Sequence, residues 1–330
     1  MTHASRFLAR LVLAVTALGA LAGSLPALPA AAQETCPTWF PDLRCEREAR
    51  PEGFVAPVSD PYLFEDPFIT TGLSAWYVYQ GYPGSSLMDG GHLNAMALQA
   101  RIAITDRLAF IATKDGFVWN NPGLAIVDDD SGFVNIAAGF KYALIDMRED
   151  GFILTPALRI EAPTGGREVY SGYGDGVIIP SVSSAWGIAD FHAIGSLGIQ
   201  VPFNTSKQST ALFYNLHLDY AVIPHFVPLV EFNGYHWTGS GNGGLPVETD
   251  LGTVDLTTAQ ALLGKPGFEG QDLLNLGSRN VAGKDVVSFA VGARIPITSK
   301  ISFGAVYEFP LTQREDLLDE RVTANLLVEF

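Results

Sequence analysis

The chain has 330 residues, of which 35 are Asp or Glu and 20 are Lys or Arg, for a formal charge of −15. A chain this acidic, with no basic cluster, argues against nucleic acid as a partner, because phosphate recognition needs grouped Lys and Arg. With 34 Gly, 20 Phe and only 17% charged residues, the composition favours many short strands and turns over helices.

Arg6 and Arg10 precede an apolar run from Leu11 to about Leu28, and Ala30-Ala31-Ala32 offers a cleavage site before Gln33. Residues 1–32 therefore read as a secretory signal. Without them, 18 Lys and Arg face 35 Asp and Glu, a formal charge of −17. No later apolar stretch is long enough to span a membrane as a helix; the longest, 177–203, is broken by Gly187-Ile-Ala-Asp190. Membrane insertion is thus expected through strands.

Residues 33–67 carry Cys36 and Cys45 and six prolines, from Pro37 to Pro67. In an oxidising compartment the two cysteines are expected to form a short-loop disulfide, since Cys-x8-Cys without a nearby His is poor metal-ligand spacing. Proline-rich chain resists regular structure, so this stretch is expected to be a periplasmic strap or small plug.

Strand-length segments follow at about 69–81, 92–104, 108–119, 133–145, 152–162, 177–187, 190–203, 212–222, 225–237, 285–297, 301–309 and 321–330. The alternation is clearest at 212–222, where Leu212, Tyr214, Leu216, Leu218, Tyr220 and Val222 oppose Phe213, Asn215, His217 and Asp219. The last strand alternates Val322, Ala324, Leu326 and Val328 and stops on Phe330, an aromatic terminus of the kind read by the outer-membrane assembly machinery. Short turns at 105–107, 147–151, 187–190, 223–225 and 298–300 alternate with longer loops. The predicted fold is therefore all-β: a transmembrane antiparallel up-and-down barrel of about twelve strands, monomeric, in contact with outer-membrane lipid and lipopolysaccharide.

A charge facing the lumen must be paired or wetted. The lumen-lining candidates are Arg101, Lys141, Arg159, Glu161 and His192 on the earlier strands. On the later ones they are His217, Asp219, Glu231, Arg294 and Glu308. His217 and Asp219 share a face and stand roughly 7 Å apart along the strand, a spacing that does not by itself make a catalytic pair. Both signs occur, as in a salt-bridged interior. The longest loop, 238–284, opens on a Gly-rich hinge and contains a predicted short helix at 254–263 with Leu256, Ala259, Leu262 and Leu263 on one face, suited to a lid. Asp128-Asp-Asp130 reads as a solvated loop tip, with a divalent-ion bridge as the alternative. No resident cofactor or metal is expected. An enzyme reading rests on His236 and Ser240, and it is weakened because Ser240 lies in a glycine-rich hinge.

Arg159-Ile-Glu-Ala-Pro-Thr-Gly165 and Tyr307-Glu-Phe-Pro-Leu-Thr312 resemble strand-end motifs of the outer-membrane transporters associated with the meta-pathway of phenol degradation, over residues 130–330. The resemblance implies passage or binding of small hydrophobic or aromatic compounds, and it carries no site residues. The expected function is an outer-membrane channel or transporter for small molecules. A lipid-modifying hydrolase and a structural or adhesive surface barrel are the alternatives.

Overall fold

The computed structural model describes residues 50–330 except 52, 125, 126, 128, 222, 224, 250, 251 and 266, and the backbone only at 149. The expected signal segment, the Cys36–Cys45 disulfide and Asp128 lie outside the described residues.

In chain order the strands are β1 Gly72–Gly81, β2 Gly91–Ala103, β3 Leu108–Lys114, β4 Phe117–Pro122, β5 Asp130–Phe133, β6 Ile136–Tyr142 and β7 Ile145–Met147. They continue with β8 Phe152–Ala162, β9 Val177–Ile188, β10 Phe191–Pro202, β11 Thr210–Tyr220 and β12 Val227–Gly239. After the small strands β13 Pro246–Val247 and β14 Val254–Asp255 and helix α1 Leu256–Leu263 come β15 Asp285–Pro296, β16 Ile301–Pro310 and β17 Glu320–Glu329. All pairings are antiparallel, and β1 pairs with both β2 and β17, which closes a twelve-stave barrel. Two staves are composite: β3 continues into β4, and β5 through β6 into β7.

Period-2 alternation sets which side chains face lipid. On β11, Phe213, Asn215, His217 and Asp219 are buried, while Tyr214, Leu216 and Tyr220 are exposed on the outer face. Met96, Leu98, Leu158, Ile160, Leu197 and Leu326 extend that apolar outer surface, as hydrocarbon contact requires. Phe330 is exposed, and its backbone N–H donates to Thr71 O at 2.9 Å, fastening the end of the chain beside β1.

Twelve staves enclose more room than an eight-stranded barrel, whose side chains just fill it, and less than the 16–18 strands that leave an aqueous channel. Two segments besides the strands occupy this interior. From the end carrying the short turns, residues 50–71 enter the barrel, and Val55, Ala56, Val58, Tyr62, Leu63, Phe64, Phe68 and Ile69 are all buried there. The chain reverses at 59–63, where Asp60 takes a left-handed conformation (φ 49°), its carbonyl accepts Phe64 N–H and its Oδ1 accepts Leu63 N–H. An Asx-type turn of this kind suits Asp, which tolerates positive φ. The expected strap thus lies, in its described part, inside the barrel.

At the other end, loop 238–284 packs into an apolar cluster that joins Leu245, Val247, Leu256, Ala259, Phe268 and Leu276 to Tyr82, Leu93, Val118, Val169 and Leu317. Helix α1 forms as expected, N-capped by Asp255, whose side chain accepts Thr258 N–H, and ended by left-handed Gly264. Leu256 and Ala259 are buried, but Leu262 is 78% exposed. The helix is only two turns long and packs on one narrow side, so the expected four-residue apolar face is reduced to part of itself.

Candidate functional site

The inserted segment is held by the inward side chains of many staves. Arg294 on β15 donates to Ala56 O (2.8 Å) and Pro57 O (3.1 Å), and Glu231 on β12 accepts Val58 N–H (2.9 Å) and Ser59 N–H. Asp60 accepts from Asn215 Nδ2 and from the Tyr235 hydroxyl, both at 2.6 Å. Arg159 on β8 donates to Tyr62 O and Leu63 O, and the Tyr62 hydroxyl donates to Glu161. Glu65 bridges Arg101 and Lys141 at 2.7 Å each, and Asp66 bridges Lys141 (3.3 Å) and Arg50 (2.7 Å). Irregular chain cannot satisfy its own backbone, so in a dry interior these side chains replace the missing ladder.

His192 and His217 belong to a buried chain behind this segment. His192 Nδ1 lies 2.8 Å from Asp219 Oδ1, His217 Nε2 lies 2.9 Å from Asp219 Oδ2, and His217 Nδ1 lies 2.7 Å from Glu231 Oε1. His217 thus stands between two carboxyl groups, one at each ring nitrogen. The His217 and Asp219 side chains lean along the strand toward each other and close the roughly 7 Å between their backbones. Glu308 on β16 accepts from Ser288 and Asn233 and approaches Arg321 at 3.5 Å.

Each of the ten residues singled out from sequence is inside the barrel. Arg101, Lys141, Arg159, Glu161, Glu231 and Arg294 bond the inserted segment directly, and the His192 ring packs on Phe54 of that segment (centroids 4.2 Å), whereas His217, Asp219 and Glu308 contact neighbours on the wall. Sequence reading missed Arg321, 1% exposed, which donates to Asp272 (2.8 Å) in the long loop and to Gln80. Its place on the polar face of the closing strand was the available signal. Asp272 carried none.

The long loop and the loop between β16 and β17 share a pair of buried acids. Glu269 accepts from the Ser209 hydroxyl, Ser278 N–H and Gly277 N–H, and Asp316 accepts from the backbone N–H groups of Glu269 and Gly270. Burial, reinforced by nearby Asp316, pushes the Glu269 carboxyl up to about 8 against those donated bonds. Burial also raises Asp316, partly opposed by the Arg314 guanidinium.

Between the two inserted segments lies a cavity of about 60 Å³. Pro61 and Tyr62 line it from one end, Asp272, Leu273 and Leu274 from the other. Its wall is mostly apolar, with Trp76 and Val78 from β1, Leu93 and Ala95 from β2, and Val118 and Asn120 from β4. The cavity also reaches Met96, Ala97, Asp115, Gly116 and Phe117, where the barrel wall is interrupted.

At that notch β2 pairs with β3 through Ala100–Ala103 and with β4 through Gly91–Met96, so Ala97, Leu98 and Gln99 have no ladder partners on that side. The Asp115 carboxylate takes Leu98 N–H (3.0 Å), and Gln99 Nε2 donates to Thr113 O (2.6 Å). The next stave breaks beside it, between β5 and β6, where Val134 N–H donates to Gly116 O. Gly116 has φ 122°, and a Cβ there would stand 2.4 Å from Met96 O. Asp115 sits midway along its stave, between β3 and β4.

The residues of the enzyme alternative point elsewhere. His236 Nδ1 faces Asp285 at 2.6 Å on the outer surface, and the Ser240 hydroxyl accepts Val281 N–H and Ala282 N–H.

No protein-family model matches this chain, and no curated protein does. Among solved structures it is similar to the KdgM porin, with 10% identity, a TM-score of 0.40 and coverage of 78% of this chain and 99% of that one. It is similar to the translocator domain of the autotransporter NalP from Neisseria meningitidis, with 7% identity, a TM-score of 0.43 and coverage of 79% and 87%. A third is LpxR from Salmonella typhimurium, with 10% identity, a TM-score of 0.40 and coverage of 78% and 100%. Such likeness is too remote to transfer a site, so the barrel rests on its own closed topology.

Proposed function

We propose that the protein is an outer-membrane transporter for small hydrophobic molecules, passing them along the apolar cavity between the two inserted segments rather than through an open aqueous pore. The observation that carries this reading is the cavity itself, apolar along most of its wall and continuous with the notch at Asp115–Gly116. A route for a polar solute would expose charge, and here the interior charges are engaged with the segment that fills the lumen. The notch offers a sideways connection between the cavity and the lipid-facing surface at Met96, which is 55% exposed. At about 60 Å³ the cavity is smaller than the roughly 150 Å³ that holds a benzene ring, so a ring is admitted only when Leu273 and Leu274 move outward.

The likeness of Pro163-Thr164-Gly165 and Tyr307–Thr312 to the phenol-degradation transporters supports the same substrate range. Phe330 serves on this reading as the signal for outer-membrane assembly. The test is uptake of a radiolabelled small neutral aromatic compound by cells carrying the intact protein, an Ala95→Trp variant that fills the cavity, or neither. Uptake well above the empty control that falls by about tenfold in Ala95→Trp, with the variant still folded, supports the reading. Uptake equal to the control overturns it.

A further inference from the structure

A mostly apolar cavity tolerates a polar group only if that group is bonded, because an unmet buried donor costs its full desolvation. Most polar side chains on this cavity comply. Gln99 donates to Pro61 O and Thr113 O, Lys114 to Glu161 at 3.1 Å, Asp115 accepts Leu98 N–H, Asp272 holds Arg321, and Tyr62 donates to Glu161. Two do not. Trp76 is 8% exposed and Asn120 is 2% exposed, both line the cavity, and among the described residues neither Trp76 Nε1 nor Asn120 Nδ2 has a hydrogen-bond partner. The Tyr82 hydroxyl donates to Asn120 Oδ1 at 2.6 Å, which fixes that amide with its NH₂ unspent.

Resting on the proposed transport reading, we infer that Trp76 and Asn120 form two acceptor-binding positions for the transported molecule, which is a neutral, donor-poor apolar compound bearing a carbonyl or ether oxygen. Both unspent groups are donors, so the matching ligand atom is an acceptor. An anion is disfavoured, because carboxylates of Asp115 and Asp272 line the same space and Lys114 is committed to Glu161. A plain hydrocarbon leaves both donors unmet. The pairing registers set the positions at different depths: Trp76 is level with Ala97 on β2 and Asn120 with Leu93, roughly 13 Å apart along the strand. Asn120 lies toward the long loop, and Trp76 lies level with the notch. The acceptor is met at Asn120 after Leu273 and Leu274 move and again at Trp76 beside the wall opening.

The test compares acetophenone with its near-isostere α-methylstyrene, in which C=CH₂ replaces C=O, against the full chain refolded in detergent. Affinity is read by calorimetry, and the Trp76 indole N–H by ¹⁵N resonance, identified by its loss in Trp76→Phe. The ketone is expected to bind about tenfold more tightly and to move the Trp76 indole resonance downfield. Trp76→Phe and Asn120→Leu each lower that preference, and the double variant brings it to about one. Equal binding of the two probes with an unmoved indole resonance overturns the inference and leaves the apolar route standing. Binding of neither probe overturns the inference and the route together.

Discussion

Glu231 shows how a single inward carboxylate acts at several contacts at once. It accepts two backbone N–H groups of the inserted segment and faces His217. Glu231→Ala leaves three donors unmet in a dry interior, and the expected loss is about 3 kcal/mol of stability, read from urea unfolding of the detergent-refolded barrel. Glu231→Gln keeps the size but not the charge beside His217, and should lose less than Glu231→Ala. That Glu231 faces inward was readable from alternation along its strand. Its partners at Val58 and Ser59, more than 170 residues away in sequence, were not.

At the scale of the element, the notch and the long loop behave differently from the regular wall. Gly116 carries a φ that L residues rarely adopt and has Met96 O where a Cβ would go. Gly116→Ala is therefore expected to cost about 1–3 kcal/mol and lower the melting temperature, whereas an equivalent change at lipid-facing Leu158 should be nearly silent. In the long loop, the Glu269 carboxyl titrates at about 8 folded against an ordinary value of 4.5. Between those pH values the folded loop holds a proton that the unfolded chain has released, so the loop loses stability as pH rises from about 4.5 to 8 and changes little beyond. Amide protection factors at 269–278, with the intrinsic pH dependence of exchange removed, should fall across that range in the intact protein and stay level in Glu269→Gln. The positions of the strands were legible because lipid on one side imposes a two-residue period. The notch was not, since Asp115-Gly116 reads as an ordinary turn inside a strand pattern. Helix α1 was partly legible: its place at 254–263 followed from the spacing of its apolar residues, but its buried side depended on what it met.

For the whole molecule, the consequence of two inserted segments is a barrel with little room for ions. The intact protein is expected to give little or no steady current in a planar bilayer. The Lys141→Ala/Arg159→Ala pair, which releases Glu65, Tyr62 O and Leu63 O, should give intermittent current as residues 50–71 loosen. Steady conductance in the intact protein would contradict a filled lumen. Closure of β17 onto β1 also implies that an unheated sample runs faster on a gel than a heated one.

Sequence alone determined the barrel: its twelve staves, the lipid-facing side of the most regular of them, and the alternation of short turns with long loops. Those features are local, because hydrocarbon outside and polar groups inside constrain every second residue whatever its distant partners are. Only the tertiary structure decided what the interior holds, which charges meet which backbone atoms, and where the wall opens. Those depend on residues 50–71 and 238–284 returning to strands far away in sequence, and irregular chain of that kind has no period to read.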